Sequence, residues 1–409
     1  MVENKDMEEL KEGWRRVKLE KLGEIVSGGT PKTSMEEYWN GKIAWLTPKD
    51  FSNQKNKYWK KGERSITDEG LKNSSAKLMP KGTVLFTSRA PIGYVGIADT
   101  EVSTNQGFKN IIANKENSNE FIYYLLKYIT PNIESIAGGS TFKEISASAF
   151  KNIEVVVPDL EIQEKIASIL SALDDKIEIN NEMNKTLEEM AQTLFKRWFI
   201  DFDFPNENGE PYRSSGGKMV DSELGEIPEG WKIGSLEEIV DNFDAKRKPL
   251  SKKERDTKEK KYPYYGAAGI IDYVDNYLFN GEYILLGEDG TVITNEGTPI
   301  LNFINEKFWV SNHAHVIKAK EKFNNDFVHY LLRNTNVSHI VTGAVQPKIN
   351  QKNLNGLKIL IPKIKEISEF GILVSNFTKM LRNNNSEINS LTQIKDTLLP
   401  KLMSGEIEV

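Results

Sequence analysis

The chain of 409 residues contains no cysteine. It therefore forms no disulfide bond and offers no thiolate ligand to a metal ion, which suits a reducing compartment. Long apolar runs are also missing, since no window approaches the roughly 18 consecutive apolar residues of a membrane span. The N-terminal MVENKDMEELKEGW is charged throughout and lacks the apolar core of a signal peptide. We therefore expect a cytoplasmic protein that does not enter a membrane.

Motifs of DNA-modifying enzymes are missing as well. The chain has no Pro-Pro dipeptide, so it lacks the aromatic-flanked Asn/Asp-Pro-Pro motif of an adenine methyltransferase. Pro158-Asp159 followed by Asp174-Asp175-Lys176 resembles the PD-D/ExK pattern of a nuclease. Those nucleases place the acidic residues on adjoining strands, whereas Asp174 to Lys176 fall inside a helical heptad run, where charge is typical of a solvated face. We expect no catalytic residue.

Histidine is scarce, with four in the chain. His313 and His315 form HAH in a predicted strand, which would place both side chains on one face. Because there is no cysteine and no adjacent carboxylate, we expect polar surface or base contact here and no metal site. The loop GEDG (287–290) is predicted to be a β-turn, since Glu288 and Asp289 would repel a phosphate.

The net charge is −5, which argues mildly against a protein that coats nucleic acid on its own. Within this acidic chain, the run KRKPLSKKERDTKEKK from Lys246 to Lys261 holds nine basic and three acidic residues. Such a run is either a solvated loop or a binding segment, and its composition does not choose between them.

The sequence contains an internal duplication. EGWRRVKLEKLGEIV near the N-terminus matches EGWKIGSLEEIV (229–240), with Trp14 against Trp231 at an offset of 217. Two further matches follow in the same order at offsets of 206 and 204, namely NEFIYYLLK (119–127) with NDFVHYLLR (325–333), and IAGGSTFKEISASAFKNIEVVVP (136–158) with IVTGAVQPKINQKNLNGLKILIP (340–362). Each copy passes through short β-rich runs and ends in a β-branched run that meets a proline.

A heptad-like helix follows each copy. The predicted apolar seam comprises Ile162, Ile166, Ile169, Leu173, Ile177, Met183, Leu187, Met190 and Leu194 in the first helix, and Ile367, Phe370, Val374, Phe377, Leu381, Ile388, Leu391, Ile394 and Leu398 in the second. A helix of about 60 Å with one apolar stripe needs a partner, and the simplest partner is the other helix. Asn384 on the seam either sets the pairing register or is a tolerated polar residue.

These features resemble the specificity subunit (HsdS) of type I restriction-modification enzymes over nearly the whole chain. The resemblance rests on PDLEIQEKIASILSALDDKI (158–177), LFKRWFIDFDFP (194–205), GEIPEGWKIGSLEEI (225–239), PYYGAAGIIDYVDNYLFNGEYILLGEDG (263–290) and LLPKLMSGEI (398–407). Each segment alone is moderately specific, but the five occur in the family's order.

The resemblance implies an α+β fold with two target-recognition domains in pseudo-two-fold arrangement, separated by two long antiparallel coiled-coil helices. We expect a first recognition domain at 1–157, a helix at 158–203, a Gly/Pro/Ser-rich linker at 204–227, a second recognition domain at 228–361 and a second helix at 362–409. Each domain would read one half of a split target in double-stranded DNA, with half-sites about one helical turn (roughly 34–36 Å) apart.

The resemblance also implies partners. Two HsdM subunits would bind S-adenosylmethionine and methylate adenine, and HsdR subunits would cleave DNA with ATP and Mg, so this chain itself would bind no cofactor. The segment LFKRWFIDFDF either packs on its own domain or docks HsdM. Two alternative classes are a protein-binding coiled-coil adaptor and a DNA-modifying enzyme with fused methyltransferase or nuclease activity.

Base readout requires forked donors for guanine, amides for adenine and carboxylates for cytosine, carried on loops. In the first domain the candidates are Lys32, Thr33, Lys49, Arg89, Asn105 and Gln106. In the second domain they are Lys246, Arg247, Tyr264, Tyr265, Asp289, His313, His315, Gln346 and Lys348. For each of them the alternative is a solvated loop residue without contact to DNA.

Overall fold

The computed structural model describes residues 10–53, 56–139, 143–256, 259–343 and 345–409. The chain divides into two compact units, unit 1 (Met1–Asn180 and Ser386–Val409) and unit 2 (Asn181–Asn385). Each unit includes part of both long helices, because the helix ends pack into the unit cores. The expected bounds of the recognition domains stay a prediction.

Unit 1 is an α+β unit whose described residues form two small sheets and a strand pair. Its strands are β1 Trp14–Lys18, β2 Gly23–Ser27, β3 Trp39–Leu46, β4 Tyr58–Trp59, β5 Arg64–Ile66, β6 Val84–Ser88, β7 Ile92–Ala98, β8 Val102–Thr104, β9 Lys109–Ala113 and β10 Glu154–Pro158. Within the described residues the sheet orders are β2-β9-β6-β7-β4, β5-β3-β8 and β1-β10. The short helices are α1 Pro48–Asn53, α2 Asp68–Lys72 and α4 Ala147–Lys151, and α3 Asn119–Ile136 packs on β6 and β7.

Unit 2 repeats this organisation. Its strands are β11 Met219–Ser222, β12 Gly225–Pro228, β13 Lys232–Ser235, β14 Val240–Asn242, β15 Tyr262–Tyr265, β16 Ile270–Val274, β17 Phe279–Gly287, β18 Leu301–Val310, β19 Ala314–Ala319 and β20 Lys358–Ile361. Its helices are α6 Lys252–Arg255, α7 Asn325–Arg333 and α8 Gln351–Asn355. In the part of the chain that the structure describes, the sheets are β14-β19-β17-β18-β15-β16, β13-β20 and β11-β12.

The duplication is visible in the strand pairing and in the helix caps. β1 pairs antiparallel with β10, as β13 pairs with β20, and the order β2-β9-β6 corresponds to β14-β19-β17. The side chain of Ser118 caps α3, and that of Asn324 caps α7 at the equivalent position. Ser146 and Asn350 cap α4 and α8 in the same way. The α+β fold class is therefore confirmed.

Two long helices, α5 Leu160–Phe195 and α9 Ile364–Met403, run antiparallel. In unit 1 Lys395 Nζ lies 2.5 Å from Asp174 Oδ1, and Asn180 Nδ2 donates to Glu387 at 2.8 Å. The residue number on α9 falls as that on α5 rises, as antiparallel pairing requires. In unit 2 Asn384 Nδ2 donates to Asn184 Oδ1 at 2.9 Å, so Asn384 has a polar partner on the facing helix.

The predicted seam is interrupted. Ile169, Met183, Met190 and Ile394 are exposed by 36–48%, although we had placed them on it. Ala167 and Leu170 are buried instead and pack with Leu402 in the core of unit 1. The ends of each helix turn a face towards the unit that they contact, and this face differs from the stripe that a regular two-stranded coiled coil would bury.

The segment 204–227, which its composition predicts to be a linker, is folded. β11 and β12 form a hairpin within it, and Phe204 and Ile227 are buried. Phe204 stacks on Tyr212 and on Trp231, with ring centroids 4.6 and 5.1 Å apart. Apolar side chains among the glycines and serines therefore anchor the segment on the core of unit 2.

The aromatic segment LFKRWFIDFDF packs on its own unit. Phe195, Trp198 and Phe199 are buried against Phe370 of α9, and residues Lys196–Ile200 form a π-helical turn that ends α5. The segment ends the helix of the first copy but packs in the core of unit 2, and its docking on HsdM stays a prediction. Within the described ranges, no helix has the length and apolarity that crossing a bilayer requires.

The residues that resemble a nuclease motif have structural partners. Asp174 accepts hydrogen bonds from Tyr124 (2.7 Å) and Lys395, and Lys176 pairs with Glu387 at 3.3 Å. Asp174 and Lys176 lie on one helix and not on adjoining strands, so the arrangement that would hold a catalytic metal ion is absent at these residues.

Candidate nucleic-acid interface

Several loops of unit 1 meet at one end of its strands, and we call this region the loop edge of unit 1. It consists of the segments that follow Ser27, Leu46, Ser88 and Thr104. β3 and β8 are parallel with Leu46 beside Thr104, so their following loops leave on the same side. Backbone hydrogen bonds connect the segments: Gly29 N–H to Thr104 O, Asn105 N–H to Leu46 O, and Ser88 N–H to Gly107 O.

Tryptophan side chains fix the loop that carries Lys32 and Thr33. The Trp45 indole N–H donates to Gly29 O at 2.9 Å, and that of Trp39 donates to Lys32 O at 3.3 Å. The Thr30 hydroxyl donates to the side-chain carbonyl of Gln106. The two indole hydrogen bonds therefore fix the loop backbone, whereas the side chains of Lys32 and Thr33 are exposed.

The structure brings most of the first-domain candidates together at this edge. Lys32, Thr33, Lys49 and Gln106 are exposed, and Asn105 and Arg89 are half-buried. The side-chain oxygen of Asn105 already has a partner within the unit, because Oδ1 accepts the Gly107 N–H at 2.8 Å. Lys49 forms an exposed ion pair with Glu63 at 3.0 Å, and such pairs are weak enough to exchange for a phosphate.

Sequence reasoning missed Lys109, the first residue of β9. It is 6% exposed, and its Nζ lies 3.4 Å from both Ser88 Oγ and Phe108 O, which are long contacts for a buried ammonium. Burial lowers the pKa of Lys109, the nearby Glu144 carboxylate opposes that shift, and the Arg89 charge adds to it. No signal in GFKNIIA distinguishes this lysine from an ordinary strand residue.

Unit 2 has a corresponding loop edge, formed by the segments 243–250, 287–291, 311–313, 342–343 and 345–349. Glu288 is its centre: Arg247 Nη1 donates to Oε2 at 2.5 Å, and Lys348 Nζ lies 3.1 Å from Oε1. Arg247 also donates to Ala314 O at 2.7 Å. Burial by itself would raise the pKa of Glu288, but the Arg247 hydrogen bond, the His315 charge and Lys348 hold the pKa below its ordinary value.

A second buried carboxylate lies beside Glu288. Asp244 is 8% exposed, its Oδ2 lies 2.5 Å from His315 Nδ1, and its Oδ1 accepts the Val316 N–H at 2.8 Å. Burial would raise the pKa of Asp244, yet the hydrogen bond and charge of His315, with the Val316 N–H and Arg247, lower it. His315 Nε2 lies 2.8 Å from Ile349 O, so each ring nitrogen of His315 faces an oxygen acceptor.

Asp244, Glu288 and His315 also have the geometry of a metal site, since one ligand atom from each lies within 4.8 Å of the others. We had expected no carboxylate near the histidines, and this was wrong, because Asp244 and Glu288 come from distant parts of the chain. Arg247 and Lys348 nevertheless already bind the Glu288 carboxylate. The cluster is therefore neutralised by side chains and does not require a cation.

Three second-domain candidates are buried. Tyr264, Tyr265 and His315 are 2%, 6% and 0% exposed, so they cannot contact a base from the surface. The Tyr264 hydroxyl accepts the Leu250 N–H at 3.0 Å and so holds the loop before α6, whereas Tyr265 donates to Glu306 of β18 at 3.2 Å. The sequence makes them candidates because tyrosine and histidine are common in contacts to DNA. Their burial depends on strands that are distant in the sequence, which the sequence alone does not show.

The two histidines of HAH do not share a strand face. His313 lies in the turn before β19, is exposed, and places Nδ1 2.5 Å from Asp289 Oδ1, whereas His315 lies within the strand. Lys246, Gln346 and Lys348 are exposed, and Arg247 is half-buried. In the basic run, Arg255 and Lys260 pair with Asp272, while Lys248, Lys252 and Lys253 are exposed; residues 257 and 258 lie outside the described residues.

The chain matches known proteins over most of its length. The family model described as type I restriction modification DNA specificity domain matches residues 11–189 and 228–393. The type I restriction enzyme MjaIX specificity subunit of Methanocaldococcus jannaschii is 34% identical over 99% of this chain and 96% of its own. The HindI specificity subunit of Haemophilus influenzae is 23% identical over 82% of this chain and 89% of its own.

A solved structure has the same fold. The S subunit of a type I restriction-modification system from M. genitalium gives a TM-score of 0.62 at 20% identity, covering 95% of this chain and 96% of that one. The family match covers well over half of the present sequence. The chain therefore belongs to the family of type I restriction-modification DNA specificity subunits, and its function is DNA target recognition and not catalysis.

Proposed function

We propose that each unit reads one half of a bipartite DNA target through its loop edge, and that the antiparallel helices set the spacing between the half-sites. The observation that carries this proposal is the duplicated loop edge. In both units the same strand ends present polar loop side chains above a backbone that is fixed by hydrogen bonds. Base-specific readout needs side chains held in this manner on a rigid scaffold.

Partner subunits supply the chemistry in this proposal. Two methylation subunits (HsdM) bind S-adenosylmethionine and methylate adenine, and restriction subunits (HsdR) cleave DNA with ATP and magnesium. The specificity subunit contributes DNA contacts alone. The acidic overall charge fits this division, because the partner subunits share contacts to the phosphates.

The test is single-molecule methylation profiling of DNA from cells that express this chain with its methylation subunit. Cells with the methylation subunit alone are the control. We expect N6-methyladenine in a split motif that appears when this chain is present. A continuous motif, or none, would refute the assignment of one half-site to each unit.

A second experiment separates spacing from base readout. Removing one heptad from α5 and a matching heptad from α9 should change the tolerated spacer length and leave both half-sites unchanged. Methylation profiling of this variant reports both quantities at once. Altered half-site bases would show that the helices take part in base recognition, contrary to the proposal.

A further inference from the structure

Two positions on the loop edges are structurally equivalent and carry opposite charges. In unit 1 the Ser88 N–H donates to Gly107 O, and Ser88 O accepts the Ile145 N–H. In unit 2 the Glu288 N–H donates to His313 O, and Glu288 O accepts the Ile349 N–H. The following residues are Arg89 and Asp289.

The segment opposite these residues is equivalent as well. Arg89 forms an isolated antiparallel bridge with Glu144, and Asp289 forms the same bridge with Lys348. Glu144 in turn bridges Gly138, as Lys348 bridges Thr342. The cation of unit 1 therefore stands where unit 2 has a carboxylate, and the carboxylate of unit 1 stands where unit 2 has a cation.

The buried residues beneath these pairs differ in polarity too. Following the strand register, Lys109 of β9 corresponds to His315 of β19, and both are buried. Lys109 has Ser88 beside it, whereas His315 has the carboxylates of Asp244 and Glu288. The loop edge of unit 1 thus has an arginine at this position, whereas that of unit 2 has three carboxylates, of which Asp244 and Glu288 are already paired with His315, Arg247 and Lys348.

We propose that Arg89 and Asp289 determine specificity at equivalent places of the two half-sites, with Arg89 selecting guanine and Asp289 selecting cytosine. Guanine presents two acceptors, O6 and N7, that match a guanidinium fork, whereas cytosine presents an amino donor that a carboxylate accepts. This inference rests on the proposed function, because it assigns a base to each loop edge.

The contacts of Arg89 and Asp289 allow them to engage a base. The Arg89 guanidinium has a long ion pair of 3.5 Å with Glu144, and both side chains are more than one-third exposed, so exchange for a base costs little. If the Arg89 guanidinium moves to a base, the Glu144 carboxylate still has a favourable interaction with the charge of the buried Lys109. Asp289 Oδ1 lies 2.5 Å from Nδ1 of the half-exposed His313, and the Asp289 side chain is itself 18% exposed, so a cytosine amino group would reach it beside the imidazole.

The experiment is methylation profiling of Arg89→Ala and of Asp289→Ala with the methylation subunit. Matched controls are Lys115→Ala and Glu321→Ala. Both residues are exposed and follow β9 and β19, at the strand ends that lie away from the loop edges. We expect Arg89→Ala to relax one guanine position of one half-site, with discrimination falling roughly 5- to 150-fold, and to leave the other half-site unchanged. Asp289→Ala should relax one cytosine position in the other half-site.

The outcomes are distinguishable. If the unaltered protein gives a split motif and Arg89→Ala lowers methylation evenly without changing any base, Arg89 contacts phosphate and the inference is overturned. Relaxation at a base other than guanine or cytosine also overturns it. If the unaltered protein gives no split motif, the proposed function itself fails. The unaffected half-site in each variant reports that the protein is folded.

Discussion

The ion pair between Asp174 and Lys395 gives the sharpest stability prediction. Their side chains are 15% and 18% exposed, the nitrogen and oxygen lie 2.5 Å apart, and the Tyr124 hydroxyl donates to the other carboxylate oxygen at 2.7 Å. Opposite charges roughly 3 Å apart attract by about 5–6 kcal/mol at an effective dielectric constant of about 20. Desolvation of both groups offsets much of this attraction, so the net value of the pair is far smaller.

Lys395→Met should nevertheless be costly, because it leaves a largely buried carboxylate without its counter-ion. We expect the free energy of local opening of α5 to fall by about 2–4 kcal/mol. Asp174→Asn keeps a side-chain acceptor for Tyr124 and leaves a lysine that reorients towards solvent, so its cost should be about 1–2 kcal/mol. The double variant should lose less than the sum of the two, with a coupling of about 1–3 kcal/mol.

Hydrogen exchange measured on peptides from α5 reads this local free energy directly, which matters in a protein with two units. The matched control is Lys185→Met on the same helix, whose partner Glu189 lies 3.9 Å away and whose side chains are 78% and 66% exposed. That change should cost no more than about 0.5 kcal/mol. Equal effects of Lys395→Met and Lys185→Met, or strict additivity in the double variant, would refute the reasoning.

Three further predictions concern the cores and the loop edge. Burial, followed by the Arg333 charge, lowers the pKa of His329 from an ordinary 6.5 to about 4. The unfolded chain therefore binds a proton at His329 before the folded protein does, so the folded state has its full stability above pH 6.5 and loses stability below it. Acid denaturation curves should show up to about 3 kcal/mol lost between pH 6.5 and 4, and His329→Phe should reduce this slope. Phe370→Ala removes a fully buried ring within 5.1 Å of Phe199 and should cost about 3–5 kcal/mol in urea unfolding of unit 2, against about 1–2 kcal/mol for Phe370→Leu. Lys109→Met should weaken DNA binding modestly for all sequences and leave its salt dependence nearly unchanged, because the buried ammonium contacts no phosphate; unchanged affinity would exclude an electrostatic role.

The apolar spacing of the helices and the internal duplication made much of the fold predictable from the sequence. The two helices and the duplication follow from apolar spacing and from matched segments such as those that open at Trp14 and Trp231, whereas the antiparallel pairing was expected from the resemblance to the family. The helix caps at Ser118 and Asn324 are local signals as well, because a polar side chain bonds an N–H three residues away. The helix periodicity and the caps depend on residues that are close in sequence, and the duplication appears when two segments are compared, so none of these features requires knowledge of tertiary contacts.

Features that depend on tertiary contacts were not predictable. Ile169 and Met190 have the spacing of a seam but are exposed, because the helix faces that are buried depend on which core lies beside each turn. The sequence predicts His315 to be a surface residue. In the structure β19 lies between β14 and β17, and Asp244 forms a hydrogen bond with the buried His315. The 204–227 segment shows the same effect, since its composition is that of a linker and the Trp231 pocket that holds Phe204 is made by other elements.

The two loop edges show how one scaffold can carry two different sets of contacts. The backbone hydrogen bonds around Ser88 and Glu288 are the same, so the loop path does not depend on the side chains there. Buried side chains, in contrast, must change together. A carboxylate in place of Ser88 requires cations such as Arg247 and Lys348, because removing one partner of a buried charge leaves the other uncompensated at a cost of several kcal/mol. A change of polarity at a loop edge therefore involves a group of residues, and exchange of a single base contact should work best where, as at Arg89, the side chain is exposed and its ion pair is long.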